Sequence, residues 1–347
     1  MDTPYQDDLD SQTLLNQARQ QARAALGAER IKDLHQQDWR VDVLAVVLVL
    51  AVAIINGALL WSRSPDLYTP FGLLIQGWLF QIAGLISHDL FVHRRVGGEW
   101  LSRLGAALLT LPRLSLPVGY ESAHLAHHRH LGSQRDTENY KQALDTRGKR
   151  VLFSTLFGIR MAQSGKRQGT AHYHDVSEKS DAIRQRAAWE KRALQIWLLL
   201  TIVATLFAPM AMLFTYWLPL LLVAPLINTL RIIIEHADAD TRAGNAWQLG
   251  TNYHTGVLTR VLFLWDSGDC HLVHHVFPRM PFYRVGRCVD ELRALIDQQN
   301  PRVRRSLVAL VLGWYLKGYG HRTPWPTPVF PLQRKAEQSA EPELPQG

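Results

Sequence analysis

Residues 194–234 most restrict the fold, because this apolar run of about forty residues contains a single charged side chain, Arg231. As one continuous helix the run would be about 60 Å long, twice the thickness of a membrane's hydrocarbon core. It must therefore fold back on itself, most naturally near Ala208 and Pro209. We expect two membrane spans, at about 194–208 and 212–234.

Two earlier apolar runs predict a transmembrane hairpin. Residues 41–61 carry one charge, at the start of the run, and are long enough to cross a hydrocarbon core. Residues 71–87 follow a short loop and end at His88. All four runs together predict an all-α membrane protein with four transmembrane helices.

The positive charges are distributed unevenly along the chain. The loops at 62–70 and near 209 contain one Lys or Arg between them, whereas the N-terminal, central and C-terminal segments contain all the others. Because cytoplasmic segments are enriched in Lys and Arg, we expect a multi-pass protein with both termini in the cytoplasm. The preference for Arg over Lys favours a bacterial inner membrane. The net charge is +8, and the basic residues adjoin apolar spans. Membrane lipid headgroups are therefore a better match for them than nucleic acid.

Three regions follow from this pattern. Residues 1–40 have apolar side chains at helical spacing, which predicts a surface or interfacial helix on the cytoplasmic side. These side chains are Leu14, Leu15, Ala18, Ala22 and Leu26. Residues 41–322 form the predicted membrane-embedded catalytic domain. Residues 323–347 have repeated prolines and mixed charges, which predict a disordered tail.

Nine of the fifteen histidines are grouped in four places. The pattern HxxHH occurs at 124–128 and again at 271–275, and residues three and four apart lie on one face of a helix. Each triplet can therefore direct three imidazoles at one point, and neutral imidazole suits iron, zinc and copper. His88 and His93 lie about 140° apart around an ideal α-helix. They can bind one metal only if the helix ends or distorts between them; otherwise they serve two metals separately.

These motifs resemble the three histidine boxes of the integral-membrane fatty acid desaturases, a family that includes hydroxylases and ketolases. HDLFVH (88–93), HLAHH (124–128) and HLVHHVFPRMPFY (271–283) occur in the family's order, and RIIIEHAD (231–238) resembles the segment with its additional histidine. The resemblance, from about residue 41 to about 290, implies a cytoplasmic helical cap that holds two iron ions and uses molecular oxygen. It implies these metal ligands: His88, His93, His124, His127, His128, His236, His271, His274 and His275.

Histidine ligands usually donate their second ring nitrogen to a carboxylate or carbonyl. Our candidates for this supporting role are Asp89, Glu235 and Asp269, and we favour the last two. Other carboxylates near the motifs are Glu121, Asp136, Glu138 and Asp266. Some family members place an Asn one helical turn before the additional histidine, where it helps to complete the metal shell. That position here is Ile232, so water or Glu235 would have to take its place.

Six histidines lie outside the proposed ligand set. We interpret five of them as ordinary polar residues: His35, His172, His174, His254 and His321. His130 follows His127 by three residues and is an alternative ligand, although the second box is complete without it.

The chain contains only two cysteines, Cys270 and Cys288, and no CxxC motif. This argues against an iron–sulfur cluster, a rubredoxin site or a cysteine zinc finger within the chain. Electrons for redox chemistry would therefore come from a ferredoxin-, rubredoxin- or cytochrome-type donor and its reductase. The resemblance implies an acyl lipid substrate into which a double bond is introduced.

Three other functions compete with desaturation. A hydroxylase or ketolase would use the same histidine boxes and return oxygen to the substrate carbon. A zinc-dependent membrane lipid hydrolase needs only three histidines and a water, which leaves six histidines unexplained. A metal transporter is disfavoured because the histidines gather at one face and few polar residues line the spans.

Overall fold

The computed structural model describes residues 8–62, 65–132, 136, 180–236, 244–256, 259–260, 262, 269–306 and 308–309. Most of these residues are helical. The predicted tail at 323–347 lies outside the described residues. In chain order, the helices are α1 (Asp8–Leu26), α2 (Ala28–Leu34), α3 (Trp39–Ser62), α4 (Thr69–Ser87), α5 (Gly98–Thr110), α6 (Pro117–His130), α7 (Asp181–Phe207), α8 (Pro209–Met212), α9 (Ala224–His236), α10 (Leu272–Val276), α11 (Phe282–Glu291) and α12 (Arg293–Gln299).

Shorter elements connect these helices. The π-helical segments are His88–His93, Leu213–Trp217 and Pro219–Val223, and the 3₁₀ turns are Leu111–Arg113 and Ala246–Gln248. The strands β1 (Asn252–Tyr253) and β2 (Val303–Arg304) pair in parallel, with Asn252 opposite Val303.

Helices α3 and α4 form the predicted hairpin, and hydrogen bonds join them inside an apolar bundle. The Asn56 Nδ2 donates to the Gln76 Oε1 at 2.7 Å, and the Tyr68 hydroxyl donates to the Asn56 Oδ1 at 2.6 Å. Polar groups among apolar helices need partners of this kind, because lipid offers none. The hairpin thus satisfies Asn56 and Gln76 internally, whereas the Gln81 Nε2 of α4 donates to the Asn228 Oδ1 of α9 at 2.8 Å.

The long apolar run turns at Ala208, as predicted. The helix α7 ends at Phe207, and α8 begins the return at Pro209. The two π-helical segments then carry the chain into α9, which ends at His236.

Among the described residues, three helical stretches are long and apolar enough to cross a membrane: Ala28–Ser62, Thr69–His93 and Pro209–Arg231. The span expected at 194–208 lies in α7, where the charges of Glu190, Lys191 and Arg192 shorten the apolar part. Residues 193–207 correspond to about 22 Å of helix, less than the thickness of about 30 Å of a hydrocarbon core. The fourth span stays a prediction.

Helix α1 packs into a core on the histidine side of the molecule. Leu15, Ala18 and Ala22, from its predicted apolar face, are fully buried there together with side chains of α10, α11 and α12. The Arg19 Nε also donates to the Val276 carbonyl at the end of α10, at 2.8 Å. Side chains on the opposite face, such as Asn16 and Gln17, are exposed, so α1 is a surface helix whose apolar face is covered by protein. Its cytoplasmic location stays a prediction. Helical spacing identifies an apolar face but does not reveal what covers it.

We predict that Leu15→Ala lowers the free energy of unfolding by about 2–5 kcal/mol, because a large buried side chain leaves a cavity when it is truncated. Thermal unfolding in detergent, followed by the circular dichroism of the helices, measures the change. The exposed Gln17→Ala in the same helix is the control. Equal unfolding midpoints for both variants would contradict the packing of α1.

Candidate metal centre

The first histidine pair lies on a π-helical turn that extends α4. Residues 88–93 adopt this wider helix, and the backbone N–H of Arg94 donates to the carbonyl of Asp89, five residues earlier, at 3.1 Å. A π-helix closes its hydrogen bonds between residues five apart, so His88 and His93 come to one side of the helix. Their Nε2 atoms are 3.0 Å apart. The structure therefore shows the distortion that their spacing requires.

The second motif lies in α6, which begins at Pro117. Proline suits the first position of a helix because its missing N–H has no partner to lose there. The next N–H, of Val118, donates at 2.8 Å to the carboxylate of Glu190 in α7, which is fully buried. This contact fixes the start of α6, the helix that carries the second motif. The Nε2 atoms of His124 and His128, one helical turn apart, are separated by 2.9 Å.

The third motif lies at the short helix α10, next to the end of α9. His271 precedes α10, while His274 and His275 lie within it, and all three are buried. Two hydrogen bonds join the end of α9 to the region of β1: the Thr251 N–H donates to the Glu235 carbonyl at 3.0 Å, and the Tyr253 hydroxyl to the Ile234 carbonyl at 2.9 Å.

Five imidazoles from the three motifs form one cluster. Its members are His88, His93, His124, His128 and His274, and their ligand atoms all lie within 4.8 Å of one another. The closest Nε2 pair is His88 with His124 at 2.7 Å, and His274 joins through His128 at 3.2 Å. An imidazole nitrogen binds a metal such as zinc at about 2.0–2.1 Å, so two ligands at right angles lie about 2.9 Å apart. The spacing of the cluster fits ligands around one metal ion.

Hydrogen bonds alone do not explain this arrangement. The Nε2 atoms of His88, His93 and His124 form a triangle with sides of 2.7, 3.0 and 3.0 Å. Each nitrogen of a neutral imidazole is either a donor or an acceptor, so at least two of the three must be of the same kind. A cation that accepts the lone pairs of all three rings removes this conflict.

A second group of histidines lies beside the five-membered cluster. The Nε2 atoms of His271 and His275 are 3.1 Å apart, and the ring centroids of His127 and His275 are 4.8 Å apart. The His275 ring also lies 4.3 Å from the ring of His128, which belongs to the first cluster. Eight of the nine predicted ligands thus lie in two adjacent groups. The ninth, His236, is the last residue of α9, and its side chain and that of Ile232 lie outside the described part of the structure.

Two carboxylates lie against the second group. The Asp136 Oδ1 accepts a hydrogen bond from the His127 Nδ1 at 2.6 Å, and both side chains are buried. This bond leaves the His127 Nε2 as the atom that can bind a metal. The Glu235 Oε1 lies 3.5 Å from the His271 Nδ1 and accepts from the Arg231 Nε at 2.6 Å. Asp136 is thus the direct partner that we did not select from the sequence.

The other two carboxylate candidates form ion pairs with arginines. Asp89 pairs with Arg94 at 2.6 Å. Asp269 accepts from the Thr255 hydroxyl at 2.6 Å and pairs with Arg260 at 2.7 Å and Arg293 at 3.2 Å. Asp269 therefore joins the segment before the third motif to α12 and to residue 260. Its direct support of a histidine ring stays a prediction.

The protonation of the site favours neutral imidazoles over thiolates as ligands. Burial, followed by the neighbouring rings of His275 and His124, holds the pKa of His128 well below its ordinary value. Burial raises the pKa of Cys270 to about 11 and that of Cys288 to about 12, and both thiols are free. Because thiolate is the metal-binding form of cysteine, neither side chain is a suitable ligand at neutral pH.

Two histidines that we interpreted as ordinary polar residues have partners outside both groups. The His254 Nε2 lies 3.0 Å from the Asp297 carboxylate, and the His35 Nδ1 lies 2.7 Å from the Ile31 carbonyl. His172, His174 and His321 lie outside the described residues.

The comparisons with known proteins identify the family. The family model for fatty acid desaturases matches residues 66–307, which is more than half of the chain and includes all nine predicted ligands. The chain therefore belongs to the fatty acid desaturase family, as its histidine motifs predict. No curated protein sequence matches it. Family membership makes it a lipid-modifying oxidoreductase of the membrane.

We predict that His274→Ala lowers the metal bound per chain, because this ring completes the five-membered cluster. Metal analysis of the purified protein should show a loss of at least half of the bound metal. The matched control is His254→Ala, which removes a histidine that pairs with Asp297 away from the cluster. Equal metal contents in the two variants would contradict the assignment.

We also predict that Asp136→Asn weakens metal binding about 10- to 100-fold, as is typical when the carboxylate partner of a histidine ligand is lost. Competition with a chelator of known affinity measures the change. Asp66→Asn, in the loop between α3 and α4, should bind metal as the unmodified protein does. An unchanged affinity in Asp136→Asn would show that Asp136 does not orient a ligand.

Proposed function

We propose that the chain is an oxygen-dependent di-iron desaturase that introduces a double bond into the acyl chain of a lipid. The observation that carries this proposal is the convergence of five imidazoles from three separate motifs on one point, with the imidazoles of His127, His271 and His275 beside them. One metal ion would need far fewer than nine histidines, and a hydrolytic zinc site needs only three.

Each side chain of the site has a separate role in this proposal. His88, His93, His124, His128 and His274 would hold one iron, while His127, His271 and His275, with His236, would hold the other. Asp136 keeps the proton of His127 on Nδ1, so that Nε2 presents its lone pair to the metal. Bound iron, with dioxygen, supplies the oxidising power that side chains lack. Burial of the rings keeps bulk water away from the reacting carbon.

An apolar cavity in the helical bundle supports a hydrocarbon substrate. Its volume is about 460 Å³, within the range of small-molecule sites. It is lined by Phe80, Trp197, Ala204 and Tyr216 among other residues, and the lining side chain of Trp61 is half exposed on the outer surface of the bundle. Phe80 precedes His88 by eight residues, about 12 Å of helix. We propose that a lipid chain reaches the metal centre from this side.

The electrons come from a partner protein in this proposal. Both thiols are buried and protonated at neutral pH, and the chain has no other cysteine to hold an iron–sulfur centre. A ferredoxin-, rubredoxin- or cytochrome-type donor with its reductase would approach the metal centre from the cytoplasm, the side on which we expect the histidine motifs from the distribution of positive charge.

Expression in cells with a working reductase tests the proposal. Lipid mass spectrometry should reveal a new acyl chain that has lost two hydrogens, and the product should disappear without oxygen or in His128→Ala. His254→Ala, from outside both groups, should form the same product.

Other products would point to other members of the same chemistry or to another class. A gain of one oxygen would identify a hydroxylase, and a gain of oxygen with loss of two hydrogens a ketolase; either would replace desaturation. Release of a fatty acid without any need for oxygen would contradict the di-iron proposal altogether and favour the zinc hydrolase.

A further inference from the structure

A buried ion triad lies directly beside the first histidine motif. The Arg94 guanidinium is fully buried and contacts the carboxylates of Asp42 and Asp89, which are 4% and 3% exposed. Its Nη1 and Nη2 donate to the two oxygens of Asp42 at 3.0 and 2.6 Å, and its Nε and Nη2 donate to the Asp89 Oδ2 at 3.0 and 2.6 Å. Two carboxylates thus bind one guanidinium from two directions.

The triad spans the π-helical turn. Asp89 and Arg94 are five residues apart, so their side chains join the same positions that the i to i+5 backbone hydrogen bond joins. Each directly follows a histidine of the cluster, His88 or His93. The ion pair therefore restrains the wider turn that brings the two rings to one side.

Asp42 connects this turn to a helix that has no histidine of the cluster. It lies in the first turn of α3, where the N-terminal end of the helix dipole favours a negative charge. Just before α3, the backbone N–H of Asp38 donates to the Tyr283 hydroxyl at 2.7 Å. This hydrogen bond joins the start of α3 to α11. The start of α3 is thus joined both to α11, through Asp38, and to the π-helical turn, through Asp42. Asp42 therefore fixes the position of Arg94 relative to α3.

We propose that Asp42 and Arg94 are positioning residues, which hold the π-helical turn so that His88 and His93 face the same metal ion. This inference rests on the proposed metal site. A π-helix is rare and occurs mostly as a single turn within α-helices, so loss of the restraint would let residues 88–93 adopt α-helical geometry. The two rings would then diverge by about 140°.

Asp42→Asn tests the proposal, because it keeps the shape of the side chain and removes its charge. We expect the affinity for iron(II) to fall about 10- to 100-fold, the range seen when residues that support metal ligands are lost. We expect kcat to fall with little change in KM, and the Mössbauer spectrum of the bound iron to change. Arg94→Lys should behave similarly, because an ammonium group cannot bind two carboxylates in the geometry of a guanidinium.

The controls separate positioning from general stability. Arg30→Gln breaks the ion pair between α2 and α11, which lies in another part of the fold, and should leave iron affinity unchanged. Asp42→Glu keeps the charge and should recover most of the affinity; it also serves if Asp42→Asn does not fold. Iron affinity and spectra like those of the unmodified protein in Asp42→Asn and Arg94→Lys would overturn the proposal. A failure of the unmodified protein to bind iron would instead overturn the proposed function.

Discussion

The mutual approach of imidazole nitrogens is the constraint on which the rest of the structure depends. Buried Nε2 atoms at 2.7–3.2 Å from one another cannot all be satisfied by hydrogen bonds between neutral rings. A shared cation resolves this conflict, and metal binding then contributes to the stability of the fold. The metal centre is therefore the point at which α4, α6 and α10 meet, although these helices are far apart in the chain.

A different local structure positions the histidines of each motif. Helical spacing aligns His124 with His128, and a π-helical turn aligns His88 with His93. The helix α10 has only five residues, and its packing against α1 holds it in position. Contacts of charged side chains then fix the helix α6 and the π-helical turn in place. Glu190 binds the start of α6, and Arg94 links the π-helical turn to α3. The charged residues here act as structural ties between apolar helices.

The sequence predicted the parts of this site that depend on regular geometry. The approach of His124 to His128 follows from their separation by one helical turn, and the turn at Ala208 follows from the length of the apolar run. We expected each HxxHH motif to direct three imidazoles at one point, whereas the structure divides each motif between the two groups, with His127 apart from His124 and His128, and His274 apart from His271 and His275. The π-helical turn could be stated only as a required distortion, because no composition marks such a turn. Asp136 was named among the nearby carboxylates but not favoured, because it follows His127 by nine residues and no regular spacing relates the two. For Asp269, adjacency to His271 in sequence did not reveal the distant Arg260 and Arg293 with which it forms ion pairs.

The central claim is that imidazoles bind two iron ions next to each other. X-ray absorption at the iron edge of the purified protein tests it most directly, because the outer carbon atoms of imidazole rings give their own scattering. We predict an iron spectrum with a first shell of nitrogen and oxygen that includes several imidazoles, and with a second iron as a neighbouring scatterer. A spectrum without imidazole scattering or without a neighbouring iron, or one with sulfur atoms bound to the metal, would contradict the claim.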